Sequence, residues 1–381
     1  MPEPTASVDP ADLSEYLASR GWRREGSFRG AGVWELESSG RLLIPDHREY
    51  QDDGELLQAA VRKLAVYEER PEQDLLLDIT EPMVDSQYFR THPDTPSGTI
   101  PLLSGVRAVQ GIQELMKNAA RTVEDGPQML FEGRRSGLVD RFLHQVTLGT
   151  ARPGSYVLTA RVPVAVPAPP QLSLWGEEQP QAEQRELPGR AVLAQLSQAV
   201  AAARTAADQV LERRPGGGPE RLDAFDNYVG QGVSANLCKA LADLGGHDRD
   251  RPFEIGFRWA RGLPGAEPRQ PSAFTGRMAG ILFRAGDELE QLAKSGHTRI
   301  TGEVETLNMR GDERRIKVVG ELRSRGGESF HRALWVIVSP GQYDRATEAQ
   351  RAGWRIDAEG RLVTVHRRRE MRPDRFDVLR P

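Results

Sequence analysis

The sequence predicts a multidomain α+β protein with three parts: a small amino-terminal α+β module (1–80), a middle α+β domain with a helical hairpin (99–295) and a carboxy-terminal β-barrel (297–381). Three observations lead there. Apolar residues recur at spacings of three and four in the first two parts. They alternate with polar ones, strand after strand, in the last part. Two proline-crowded stretches, Thr80 to Gly98 and Pro163 to Gly189, break the chain between periodic segments.

In the amino-terminal module, Asp12 to Ser19 reads as a helix with Leu13, Tyr16 and Leu17 inward. Gly32 to Glu37 and Arg41 to Pro45 read as strands around Ser38-Ser39-Gly40. Asp53 is a cap candidate for a helix over Gly54 to Glu69, whose Leu57, Ala60, Val61 and Leu64 share a face. Asp74 to Ile79 reads as a short apolar strand, and Thr80 to Gly98, with Pro82, Pro93 and Pro96, as a linker.

The middle domain is expected to hold helix Ser104 to Glu124, strand Gln128 to Phe131, helix Ser136 to Leu148 with Leu138, Phe142 and Val146 inward, and strand Ser155 to Val162. Pro163 to Gly189 is too rich in proline and glutamine for regular structure and reads as an arm. Within it Leu172, Leu174 and Trp175 form an apolar island, either a docking peptide for a partner or part of the chain's own surface. Arg190 to Arg214 carries Leu193, Leu196, Val200, Ala203, Ala207 and Val210 at helical spacing. After Pro215 to Pro219 a second helical region, marked by Phe225, Val229, Leu237, Leu241 and Leu244, completes an antiparallel hairpin over 190–245. Phe253, Ile255, Phe257 and Trp259 mark a half-buried strand suited to pair with Ser155 to Val162, and helix Ile281 to Ser295 leads onward.

From His297 the pattern changes to period two. Arg299 to Leu307, Arg315 to Leu322 and His331 to Val338 are strands, the third apolar on both faces and so central. Ser339-Pro340 starts a helix, hydroxyl at the cap and proline where its missing N–H costs nothing, and Gly353 stops it. Trp354 to Asp357 and Arg361 to Val365 form a last hairpin turned by Ala358-Glu359-Gly360. In element order this segment resembles an OB-fold domain; no motif narrows the resemblance further. The resemblance implies binding through a surface, most often to single-stranded nucleic acid, without catalytic residues.

Charge agrees with that implication. About 18 Lys or Arg against about 13 Asp or Glu fall in the segment, roughly +5, while the whole chain is −4. Arg310, Arg314, Arg315 and Lys317 cluster around the first turn, and Arg367, Arg368 and Arg369 make a basic run. Phe330, His331, Trp335 and Trp354 are candidate stacking planes for bases, with Trp335, on a strand apolar on both faces, better suited to the core.

A single cysteine, Cys238, precludes an internal disulfide and fits a cytoplasmic, reducing location. No apolar run nears the roughly 18 residues of a membrane span, and the amino terminus lacks a secretory pattern. The abundance of arginine, alanine, glycine and proline suggests a bacterial genome. No phosphate loop, dinucleotide fingerprint, zinc spacing or serine elbow is present, so the sequence calls for no cofactor and no resident metal. The remaining catalytic alternative is a divergent metal-dependent nuclease using Glu35, Glu37, Asp74 or Asp78. The leading expectation is a non-enzymatic, nucleic-acid-binding accessory protein of genome maintenance or antiviral defence. The competing one is an adaptor that docks protein subunits. Oligomeric state is not legible.

Overall fold

The computed structural model describes residues 8–36, 40–47, 52–69, 72–91, 95–96, 99–149, 156–164, 186–213, 220–263, 270–310, 313–324, 329–365 and 367–380. The chain divides into two compact units, Met1–Val84 with Trp259–Ala266, and Asp85–Arg258 with Glu267–Pro381.

In the first unit, α1 (Pro10–Ser19) starts at Asp9, whose carboxylate accepts from the Ala11 amide, and buries Leu13, Tyr16 and Leu17. An antiparallel sheet follows in the order β1 (Arg23–Phe28), β2 (Ala31–Leu36), β3 (Gly40–Pro45). β1 escapes sequence reading because all six of its residues are exposed, leaving no alternation to detect. α2 (Asp53–Tyr67) buries Leu57, Ala60, Val61 and Leu64 as the spacing indicates, although Asp52 rather than Asp53 precedes its first turn. Asp74 to Ile79, expected as a strand, lies in helix α3 (Glu72–Thr80). Leu75 and Ile79, four apart, are both fully buried there, so the apolar run follows the helical period.

The second unit contains a five-stranded sheet, a set of helices and a closed barrel. The stretch expected as a linker instead contributes β4 (Val84–Thr91) to the sheet. Its prolines flank the strand, and its buried Asp85, Ser86 and Gln87 hide it from any hydropathy pattern. α4 (Leu102–Asp125) and α5 (Gly137–Gln145, capped by Ser136) follow, then β5 (Thr147–Gly149) and β6 (Tyr156–Pro163). α5 turns Phe142 inward as expected, accompanied by Val139 in place of Leu138 and Val146. Gln128 to Phe131 forms no strand; the Asn236 side chain bonds both the amide and the carbonyl of Phe131, taking a strand partner's place.

α6 (Gly189–Glu212) matches the first expected arm of the hairpin. The second arm is broken at Gly232, which adopts φ 99°, into a 3-10 helix (Phe225–Gln231) and α7 (Ala235–Asp243). α7 packs on α4 and on α8 (Gly276–Lys294), so the region is a helical cluster and not a simple hairpin. β7 (Phe253–Arg258) and β8 (Ser272–Phe274) complete the sheet, whose order is β5-β6-β4-β7-β8. β4 therefore separates β6 from β7, which the sequence suggested would pair directly.

The barrel comprises β9 (His297–Arg310), β10 (Glu313–Ser324), β11 (Ser329–Val338), α9 (Pro340–Ala352), β12 (Arg355–Val365) and β13 (Arg368–Leu379). It closes in the order β10-β11-β13-β12-β9, with β11 and β13 parallel, an arrangement compatible with an OB-like fold. Ile300, Val304, Ile316, Val318, Leu334, Val336, Ile356 and Met371 are buried within it. Ser339 and Gln342 form a capping box at α9, and Gly353 ends it at φ 68°. The final hairpin differs from expectation: β12 runs straight through Ala358-Glu359-Gly360 and the chain turns later, next to Arg367. Gly360 serves close approach, since a Cβ there would stand 2.1 Å from the Arg372 carbonyl oxygen.

Candidate nucleic-acid interface

The barrel register decides which basic side chains share a face, because directly opposed residues of antiparallel strands point the same way. Arg323 of β10 lies opposite Arg299 of β9, Arg299 opposite Glu359 of β12, and Glu359 opposite Arg375 of β13. Two residues along, Arg361 lies opposite both His297 and Arg372. A single outward face thus carries Arg299, Arg323, Arg361, Arg372 and Arg375, all exposed. The intervening positions, Ile300, Leu322 and Leu362, point into the core. Two of the cross-strand pairs, Arg299–Arg323 and Arg361–Arg372, oppose like charges.

Neutralisation of this face is partial. Asp357 binds Arg299 through two bonds of 2.7 and 2.6 Å and also accepts from Thr301 at 2.8 Å. The Arg299 hydrogen bonds hold the Asp357 carboxyl below the usual range despite burial. Arg323 pairs with Glu321 at 3.2 Å and Arg375 with Asp377 at 2.6 Å. Arg361 and Arg372 make no ion pair among the described residues.

The residues singled out from sequence are distributed differently. Arg310 ends β9 and Arg314, Arg315 and Lys317 begin β10, whereas Phe330, His331 and the Arg367–Arg369 run gather at the opposite end of the barrel. Arg315 is held by Glu313 at 2.7 Å and Glu370 at 3.3 Å. Lys317 is held by Glu305 at 3.0 Å and Asp223 at 3.8 Å. Arg369 donates to the carbonyls of Ser295 at 2.6 Å and Ala293 at 3.4 Å, bracing the carboxy-terminal end of α8. Arg367 is exposed in a left-handed conformation (φ 66°), while Arg368 is half-buried and attracts Asp226. Arg332 stands 5.9 Å over the half-buried Phe330 ring, and Arg380 stands 5.1 Å over Trp354. His331, also half-buried, lies opposite Glu321, and half-buried Trp335 opposite Lys317. Leu172, Leu174 and Trp175 lie outside the described residues.

Compared with known proteins, the chain matches no family model and no curated protein.

Between the barrel and the helices lies a second constellation that sequence reading missed, because its members are far apart in the chain. Arg332 of β11, 1 % exposed, bonds Asp226 of the 3-10 helix, with Glu288 of α8 and Asp223 nearby. Burial works to raise the Asp223 carboxyl, yet the Arg221 hydrogen bond and the charges of Arg221, Arg332 and Lys317 hold it low. For Asp226 burial wins and its pKa is raised. Burial likewise pushes Glu288 up to about 7, with Arg332 opposing and Asp226, Asp223 and Glu220 adding to the shift.

Of the acids of the nuclease alternative, two fall among the described side chains. Glu35 pairs with Arg41 at 3.3 Å, Asp78 sits on helix α3 rather than a strand, and Glu37 and the Asp74 side chain lie outside the described residues. Among the described residues, no group of three or more His, Cys, Asp or Glu side chains is placed to hold a metal ion. The Cys238 thiol is fully buried and its pKa is raised by that burial, which suits packing rather than nucleophilic attack. No helix among the described residues is long and apolar enough to cross a membrane.

Proposed function

We propose that this protein is an accessory protein that binds single-stranded nucleic acid along the outward arginine face of its barrel, without catalysing a reaction. The observation that carries the reading is the two exposed Arg–Arg cross-strand pairs. Like charges placed directly opposite one another destabilise a sheet, and a phosphate backbone lying over Arg299, Arg323, Arg361 and Arg372 would remove that cost. Arg315, Lys317 and Arg369, already engaged within the chain, act as struts in this reading. A role in bacterial genome maintenance or defence belongs to the same proposal.

Anisotropy titration of labelled single-stranded DNA and RNA oligonucleotides over a salt series tests it. Affinity is expected to fall with a log–log slope of roughly −2 to −3, as three or four phosphate contacts on a single strand give. Absence of binding at low ionic strength overturns the reading. That result would favour the adaptor alternative, which has its own support. Leu102, Leu103, Val106 and Val109 of α4 are 79, 61, 47 and 38 % exposed, an apolar stripe suited to a protein partner.

A further inference from the structure

Where the barrel meets the helices, the buried charges do not balance. Arg332 is shared by Asp226, which it bonds, and by Glu288. Asp223, the third carboxylate, has its own cations: Arg221 at 3.1 Å, Arg213 at 3.7 Å and Lys317 at 3.8 Å. Lys317 and Arg221 are in turn shared with Glu305 of β9, at 3.0 and 2.8 Å. Glu220 is taken by Arg284 of α8 at 2.5 Å. On the α7 side of α8, Lys239 pairs with Asp287 at 2.7 Å and Glu290 at 2.5 Å. Arg368 of β13 adds a further positive charge acting on Asp226. Glu288 is therefore left with no cation of its own. Its Oε2 and the Oδ1 of Asp226 are buried with no hydrogen-bond partner among the described residues. Two ionised carboxylates facing one guanidinium in a water-poor interface are unfavourable, and a proton on one of them relieves the imbalance.

We propose that Asp226, Glu288 and Arg332 form a proton-operated latch between the barrel and the helices, shut while Glu288 carries a proton and loosened when it ionises. The three residues come from the 3-10 helix, α8 and β11, so each change of charge acts on the seam joining them. The position of the Glu288 titration, near 7, places the transition within the range of ordinary cellular pH. The sign follows from linkage. A carboxyl whose folded pKa exceeds its unfolded value binds a proton that the unfolded chain lacks, so its contribution falls as pH rises through that window.

The test uses the full chain and its Glu288→Gln variant, which mimics the protonated form. Urea midpoints are measured from about pH 5.5 to about 8.5, with hydrogen exchange at each pH corrected for intrinsic rates. The wild-type midpoint is expected to fall relative to the variant as pH rises from about 5.5 through 7 and to level off above that, with faster exchange at Phe225–Gln231 and the start of β11 once Glu288 is ionised. The variant should lack both changes. Parallel midpoint profiles, or exchange that rises equally in both proteins, overturn the latch. A readout on the wild type alone guards against a poorly folded variant. The infrared band of a protonated carboxyl should be present below pH 7 and vanish above it; its absence at low pH also overturns the proposal.

Discussion

Arg332→Met is expected to destabilise the second unit by about 3–5 kcal/mol at pH 8, the usual cost of removing one partner from a buried ion pair. Methionine retains much of the packing volume while deleting the charge, so the loss reports electrostatics rather than a cavity. Without the guanidinium, the Asp226 and Glu288 carboxyls, already raised by burial, rise further. Folding then takes up protons over a wider range, and the deficit grows as pH increases from about 5 toward 8. In a unit of this size the melting temperature should drop by roughly 10 °C. Replacing all three charges together, as Asp226→Asn, Glu288→Gln and Arg332→Met, should recover much of the loss, since no charge is then stranded. Urea unfolding at two pH values measures both effects. A loss below about 1 kcal/mol at pH 8 would mean that Arg332 is not what neutralises the cluster.

A comparable loss is expected at the sheet. Asp85, fully buried on β4, receives the Arg190 side chain through bonds of 2.5 and 2.8 Å from the first turn of α6. Arg190→Ala leaves this carboxylate without its two-pronged partner in the core and should cost about 3–5 kcal/mol. Asp85→Asn removes the charge that needs compensation and should cost less. If the two variants lose stability equally, or Asp85→Asn loses more, the pair is not acting as a buried charge and its counter-ion.

These two ion pairs also explain what the sequence did and did not reveal. The barrel strands β9 to β11 were legible because each alternates, and α9 because serine, proline and glycine stand at its ends. β13 was not, since Pro373 and several charges interrupt its pattern; in the barrel Pro373 sits opposite Gly360, at the bulge that tolerates it. β4 was obscured because its buried face includes Asp85, whose burial makes sense only once Arg190, from a distant segment, is beside it. The arginine face was hidden for a related reason. Each of its members occupies an ordinary exposed strand position, and only strand register brings Arg361 to Arg372 and Arg299 to Arg323. The basic residues clustered in sequence lie elsewhere, and Arg315, Lys317 and Arg369 among them are spent within the chain.

The binding proposal requires the arginine face to trade stability for affinity, and Arg372→Glu measures both quantities in one protein. Placed opposite Arg361, the new carboxylate converts a like-charge pair into an attractive one, worth a gain of roughly 0.2–1 kcal/mol. The same change removes one phosphate contact and repels the backbone, so oligonucleotide affinity should fall about tenfold or more at moderate salt, with a shallower salt slope. The account predicts a higher melting temperature together with weaker binding. A variant that melts lower, or that binds single strands as tightly as the wild type, would contradict it.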